Sequence, residues 1–151
     1  MLIIKLLHNF LEKDIMIDLF GKVLSSSGHS SRLKEIMPCD DFVAGQILFE
    51  NGVICNGQWY FSADPTEDED TCEVVGEKGT LRFGFFGESV LTRININGKI
   101  EGEEKYPHPE HIQQPMIQRI VEFFTNEHVP NPCSVEEAVT VMEIIDSFTA
   151  S

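Results

Sequence analysis

Phe42-Val-Ala-Gly-Gln-Ile-Leu-Phe-Glu-Asn-Gly-Val-Ile-Cys-Asn-Gly-Gln-Trp-Tyr-Phe61 is the stretch that decides the fold. Two apolar runs flank Asn51-Gly52, and an Asn-Gly pair in that setting is the strongest short hairpin signal, because a type I′ turn needs positive φ twice. Phe42–Glu50 and Val53–Phe61 are therefore expected to pair as antiparallel strands. In the first, Val43, Ile47 and Phe49 share one face while Phe42, Ala44 and Leu48 share the other. A sheet with one wet face alternates more cleanly than this. The second face is thus expected to meet another sheet or a second subunit, unless the N-terminal helix covers it.

Working outward, Asp64–Asp70 is an acidic loop, Cys72–Val75 a short strand and Gly76-Glu-Lys-Gly79 a tight turn. Thr80–Phe86 and Ser89–Ile96 read as two more strands, and Asn97-Gly98 leads into another at Lys99–Tyr106. Leu81, Phe83 and Phe85 point one way and Phe86 the other. On the N-terminal side, Lys22–Ser30 is a weaker strand. Ile3, Leu6, Leu7, Phe10, Leu11, Met16, Ile17 and Phe20 recur at mostly helical spacing over residues 2–20, with Gly21 as the stop. On the C-terminal side, Pro107 and Pro109 end the sheet and Pro115 suits the first turn of a helix running to about Asn126. Ser134-Val-Glu-Glu137 is a capping box opening a last helix, whose expected buried face is Ala138, Val141, Met142, Ile145 and Phe148. The expected fold is α+β: an open, mainly antiparallel sheet in one domain over 1–151, with an N-terminal helix at 1–21, sheet at 22–106 and helices at 107–151, the helices packing on one face.

Composition limits the function. The 151 residues, 42% hydrophobic and 24% charged, fit one globular domain. Twenty-five acidic against 11 basic residues give a net charge of −14, which disfavours nucleic acid and polyanionic substrates. The four cysteines, Cys39, Cys55, Cys72 and Cys133, have no paired spacing, so neither a zinc site nor a redox dithiol is supported. Cys55 and Cys72 lie in strand-like apolar surroundings, which suits a reducing, cytoplasmic compartment. The apolar opening Met1–Leu7 is too short to span a membrane and lacks the basic start and cleavage site of a signal peptide.

Reactive residue types do not assemble into a site. His108 and His111 lie three apart beside Glu110, but Pro109 breaks the turn that would align them on a metal. The acidic loop has Glu69 and Val75 where an EF-hand needs Gly and a bidentate Glu. Gly76–Gly79 precedes a strand, whereas a phosphate cradle opens a helix. There is no G-x-G-x-x-G, no P-loop and no G-x-S-x-G elbow. His29 beside Ser27, Ser30 and Ser31 reads as a serine-rich strand edge. Trp59 and Tyr60 are suited either to a sugar-sized pocket or to a core or interface. Asp14 and Asp18, one turn apart on the first helix, are suited to substrate hydroxyls or to plain helix surface.

Four segments in order carry a resemblance. Asp40-Asp-Phe-Val-Ala-Gly-Gln-Ile-Leu-Phe-Glu-Asn-Gly52, Cys72-Glu-Val-Val-Gly-Glu-Lys-Gly-Thr-Leu81, His108-Pro-Glu-His-Ile-Gln-Gln-Pro-Met-Ile117 and Pro132-Cys-Ser-Val-Glu-Glu-Ala138 running on to Ile144–Ser147 resemble the C-terminal domain of the Gfo/Idh/MocA oxidoreductases, over residues 14–151. The resemblance implies an NAD- or NADP-binding Rossmann domain, absent from these residues, that supplies a lysine near the transferred hydride. It also implies a catalytic histidine at the position of Leu11 and an aspartate at that of Leu7, so no catalytic residue carries over. Met1–Lys13 departs from the family pattern. Asp14 matches a family position close to the substrate, and Trp59 is the second substrate-binding candidate; no residue is assigned to cofactor or metal. The resulting expectation is the substrate-side and oligomerisation domain of an NAD(P)-dependent sugar or polyol oxidoreductase, inactive alone and paired with itself through the sheet face. The other reading is a non-catalytic dimerisation or carbohydrate-binding module.

Overall fold

The computed structural model describes residues 3–7, 12–64, 66, 69–85, 90–107, 109–111, 113–126, 128–132 and 134–150, with side chains from residue 15 onward. The elements are β1 (Ile3–Leu7), α1 (Glu12–Phe20), β2 (Val23–Ser31), β3 (Phe42–Phe49), β4 (Ile54–Tyr60), β5 (Thr71–Gly76), β6 (Gly79–Phe83), β7 (Val90–Ile94), β8 (Ile100–Lys105), α2 (Gln114–Thr125) and α3 (Val135–Thr149). The strands form one eight-stranded sheet in the order β2-β3-β4-β1-β5-β6-β7-β8. The architecture is α+β on an open, mainly antiparallel sheet.

β1 is the main departure from expectation. Residues 3–7 are a strand, not the first turns of a helix, and the helix begins only at Glu12. A short apolar run fits either state by periodicity alone. Here hydrogen-bonding partners on both sides settle it: β1 runs parallel to β4, Ile3 opposite Ile54, and antiparallel to β5, Ile3 opposite Val75. The sheet is therefore not a simple meander, because β1 separates β4 from β5.

Both Asn-Gly hairpins form, with three-residue loops in place of the expected two-residue type I′ turn. Gly52 N–H donates to Phe49 O (2.9 Å), and Phe49 N–H donates to Val53 O (2.9 Å). Glu50-Asn51-Gly52 thus forms the loop, with Gly52 in the left-handed region (φ 83°). Asn95 to Lys99 repeats the arrangement around Gly98.

One face of the β2–β4 half of the sheet is the core. Val43, Ile47 and Phe49 of β3, Cys55 and Trp59 of β4 and Cys72 of β5 are buried there together with Met16 of α1 and Ile144 and Phe148 of α3. The closest packing uses a row of glycines: Gly28 of β2 pairs with Gly45 of β3, and Gly45 with Gly57 of β4. A Cβ at Gly45 would lie 2.4 Å from the Phe148 ring, and one at Gly57 would lie 2.1 Å from the ring of Trp59. The row is a trough into which the two aromatic side chains settle, 5.8 Å apart by ring centroid. Bare backbone is the only surface that admits such an approach.

α1 lies on this same face. Met16 is fully buried and Phe20 packs on Phe49, ring centroids 5.7 Å apart. The N-terminal helix therefore leaves the opposite face, with Phe42, Ala44, Leu48, Ile54 and Tyr60, uncovered among the described residues. α3 opens on the expected capping box: Glu137 N–H donates to Ser134 Oγ (3.1 Å) and Ser134 N–H to a Glu137 carboxylate oxygen (3.0 Å). Its buried side is Ile144 and Phe148, with Val141 and Ile145 beside them; Ala138 and Met142, expected inward, are exposed. α2 carries its expected apolar stripe but has no buried residue.

Candidate functional site

Asp14 is placed in α1 by its backbone, and its side chain lies outside the described residues. Asp18, one turn later, is exposed, on the side of the helix away from Met16. Trp59 is 1% exposed, on the core face over Gly57 and against Phe148. Its ring is a core element in this chain, and Tyr60 lies on the opposite face, edge-on to Phe42.

Among the described residues, one heavily hydrogen-bonded polar residue is a carboxylate that no sequence motif pointed to. Asp41, fully buried, sits just before β3. It accepts from the Ser62 hydroxyl, from Leu33 N–H (2.5 Å) and from Lys34 N–H (3.3 Å). Its backbone is tied on both sides as well: its N–H donates to Ser31 O (3.2 Å) and its carbonyl accepts from Phe61 N–H (2.8 Å). The Ser62 bond holds the carboxyl below its usual 3.8, against the opposing effect of burial, with the Leu33 and Lys34 amides adding to the lowering. The Lys34 ammonium donates to the Ser62 carbonyl and stands 5.7 Å from the centre of the Tyr60 ring. Asp41 therefore fixes the β2–β3 connector against the end of the β3–β4 hairpin. The readable signal was a carboxylate immediately before an apolar strand, with Ser62 just past the strand that pairs with it.

The clefts among the described residues include two beside the sheet. One, of about 570 Å³, lies between α1, β2 and α3, lined by Ile17, Val23 and Ile144 with Lys22, Glu136 and Glu143 at its edge. The other, of about 500 Å³, lies over the Gly76–Gly79 turn, with Val74 and Leu81 beside Lys78, Arg93 and Glu101. Arg93 is paired with Glu104 at 2.8 Å. Neither cleft holds a nucleophile–base pair.

Other sequence candidates resolve locally. Asp64 caps its own loop, accepting from Thr66 Oγ1 (2.7 Å) and Thr66 N–H (2.9 Å), contacts that lower its pKa. His111 is exposed, while His108 lies outside the described residues, as do Leu11, Cys133 and Phe86. Among the described residues no three His, Cys, Asp or Glu side chains could share a metal ion. The dinucleotide that the resemblance implies finds no cradle among these residues. The Gly76–Gly79 turn joins β5 to β6 instead of opening a helix, and a Cβ at Gly79 would meet Ile94 O at 2.2 Å. The amide of Glu137 in the first turn of α3 is taken by Ser134.

Comparison with known proteins agrees with this scaffold. Residues 12–82 match the model of the GFO/IDH/MocA C-terminal domain. The chain is 41% identical over 135 residues to Oxidoreductase P35 of Formosa agariphila, a match that covers 89% of this chain and 40% of that protein. The aldose–aldose oxidoreductase of Caulobacter crescentus, solved with glycerol, superposes with a TM-score of 0.75 at 13% identity, over 96% of this chain and 51% of that one. The WlbA dehydrogenase of Bordetella pertussis, solved with NADH and UDP-GlcNAcA, gives 0.66 at 15% identity, over 97% and 50%. The chain thus spans about two-fifths of its curated relative and about half of these solved chains. The sheet, the order of its motifs and these matches together show that the chain belongs, as a C-terminal domain, to the Gfo/Idh/MocA oxidoreductase family.

Proposed function

We propose that residues 1–151 act as one domain, the substrate-side and oligomerisation half of an NAD(P)-dependent sugar or polyol oxidoreductase. The observation that carries this reading is the sheet itself, with α1 and α3 on one face and a half-apolar second face left open, in a chain matched to that family over residues 12–82. The titles of the structural neighbours, an aldose–aldose oxidoreductase and a dehydrogenase with NADH and a nucleotide sugar, support sugar as the substrate class and a nicotinamide as the cofactor. The described residues offer no dinucleotide cradle, so the cofactor is held by a separate domain and this chain orients substrate. In this reading Asp14 on α1 approaches the substrate, a role that rests on the resemblance, and Trp59, buried over Gly57, supports the sheet beneath. The open face pairs with a second copy, and the buried thiols of Cys55 and Cys72 suit a cytoplasmic setting.

Alone, the chain has no dehydrogenase activity. The test is an assay of the purified polypeptide with NAD⁺ or NADP⁺ against aldoses, inositols and UDP-sugars, together with sequencing of the DNA upstream of the Met1 codon. No turnover and an adjoining strand–G-x-G-x-x-G–helix reading frame are expected. Turnover by this chain alone overturns the proposal. Lack of that frame favours the non-catalytic, sugar-binding or dimerising module.

A further inference from the structure

The two edges of the sheet are built differently. β8 carries Glu101, Glu103, Glu104 and Lys105 and shifts register against β7, features that keep a further strand from adding to it. β2, at the other edge, is Val23-Leu-Ser-Ser-Ser-Gly-His-Ser-Ser31, with no proline, lysine, arginine or carboxylate. Past one irregularity after Val23 it keeps register with β3 from Ser25 to Ser31, and among the described residues no strand pairs with its outer side. An edge of this length without charges or proline is a template for an added strand.

The cleft between α1, β2 and α3 adjoins this strand. Its wall includes four consecutive residues of β2, Val23–Ser26, whose side chains alternate in direction, so the strand's backbone forms part of the wall. Glu136, Thr140, Glu143 and Ser147 follow one side of α3, and Ser147 Oγ donates to Ser26 Oγ (2.8 Å). That side of the helix therefore stands over β2 and brings Glu136 and Glu143 to the cleft, beside the apolar Val23 and Ile144. Among the described residues neither carboxylate is paired with a cation. Lys22, the one basic residue lining the cleft, pairs with Glu50 at 3.7 Å.

We propose that β2 and this cleft receive an extended, lysine- or arginine-bearing segment of a partner protein, which adds antiparallel to β2 and sets its basic side chains against Glu136 and Glu143. Backbone hydrogen bonds along β2 hold the segment. Every second side chain of an added strand rises on the α3 side of the sheet, where the two carboxylates select basic ones. Charge complementarity favours this occupant over a second copy of the chain, which would bring another −14 to the same carboxylates. Such a contact is independent of the hydride-transfer role proposed above.

The test is fluorescence anisotropy of labelled synthetic peptides titrated with the full chain. Peptides as long as β2 alternate valine with lysine, or valine with glutamate. Saturable binding of the lysine peptide, at least tenfold tighter than that of the glutamate peptide, is expected. Two further lysine peptides carry N-methyl groups on one or the other alternate set of amides. With the lysines on the α3 side of an antiparallel strand, only one set faces β2. One methylated peptide should therefore lose at least tenfold in affinity while the other binds like its parent, a comparison that needs no protein variant. Glu136→Gln/Glu143→Gln alters two exposed side chains and spares the capping-box residue Glu137, so circular dichroism should not change while lysine-peptide binding weakens at least tenfold. No saturable binding, or equal affinity for the lysine and glutamate peptides, overturns the proposal. Equal affinity for the two methylated peptides also overturns it, and would mark the cleft as a site for amines without strand addition. A bound fraction that falls as the chain is concentrated would place a second copy on the edge, with the same consequence.

Discussion

At the scale of single residues, Asp41 carries the most testable chemistry. A carboxylate that accepts from one hydroxyl and two backbone amides is favoured in its ionised form even though it is buried. Asp41→Asn keeps the shape but turns an NH₂ toward donors, taking the acceptor either from Leu33 N–H or from Lys34 N–H and the Ser62 hydroxyl. The expected result at pH 7 is a melting temperature lower by several degrees and faster amide exchange at Leu33 and Lys34. The pH dependence has a definite sign. The folded pKa is depressed, so the stabilisation is present above the unfolded value, about 3.9, and is lost as pH falls through the folded value. The gap in melting temperature between wild type and Asp41→Asn should be constant from pH 7 to pH 5 and close below about pH 4. A gap that widens on acidification would show that the carboxylate is not the group responsible. Ser62→Ala removes the largest single contribution to the lowering and should move the closing point upward in pH, toward the unfolded value.

At the scale of elements, the fit of α3 to the sheet rests on the glycine row. Gly45→Ala puts a methyl 2.4 Å from the Phe148 ring, which must shift, at a cost of about 1–3 kcal/mol. Phe148→Ala instead leaves a cavity over the trough and costs about 3–5 kcal/mol. The two changes act on one space, so Gly45→Ala combined with Phe148→Leu should lose less than the sum of the two single changes in urea denaturation; strict additivity would show that ring and glycine are not in contact. Ser134→Ala removes the capping-box hydroxyl and should cost about 1 kcal/mol. These two elements also mark how far the sequence could be read. The capping box, both Asn-Gly hairpins and the helix after Pro115 were legible because each has a local cause in turn or cap chemistry. β1 was not, since Ile3–Leu7 becomes a strand only through partners more than 45 residues away in β4 and β5. The inward side of α3 was half legible: apolar residues on both sides of a helix leave its rotation undetermined until the trough receives Phe148. Trp59 suited either a pocket or a core by residue type, and its seat over Gly57, two residues earlier on the same strand, and against Phe148 puts the ring in the core of this chain. Asp41 escaped notice because its partners at 33–34 and 62 are brought together by the hairpin, not by spacing.

For the whole molecule, the question is what meets the open sheet face. Phe42 and Tyr60 stack edge-on there at 6.4 Å, Ala44, Leu48 and Ile54 are half-buried, and Gln46 bonds Asn56 at 2.8 Å. Beyond β1, Glu73 and Arg82 pair at 2.6 Å on the same face. Such a surface, apolar in patches and laced with satisfied polar pairs, suits an isologous contact in which each pair recurs across a twofold axis. A stable dimer buries about 800 Å² per partner, and a single face of an eight-stranded sheet is large enough to supply it. The two exposed glutamines, Gln46 and Gln58, project from neighbouring strands on that face. Gln46→Glu/Gln58→Glu would set four added carboxylates against each other in a dimer already carrying −14 per chain. Sedimentation equilibrium at micromolar concentration should give twice 17.1 kDa for the wild type and a shift toward 17.1 kDa for the double variant. The dissociation constant should rise at least about tenfold, which corresponds to about 1.4 kcal/mol. Because both side chains are exposed in the monomer, its circular dichroism should not change. Raising the salt concentration should recover part of the dimer in the variant, since the added repulsion is screened over about 10 Å at 0.1 M. A wild type that sediments as a clean monomer under these conditions would remove the open face as the oligomer contact, and leave its apolar residues to be explained by sheet propensity alone.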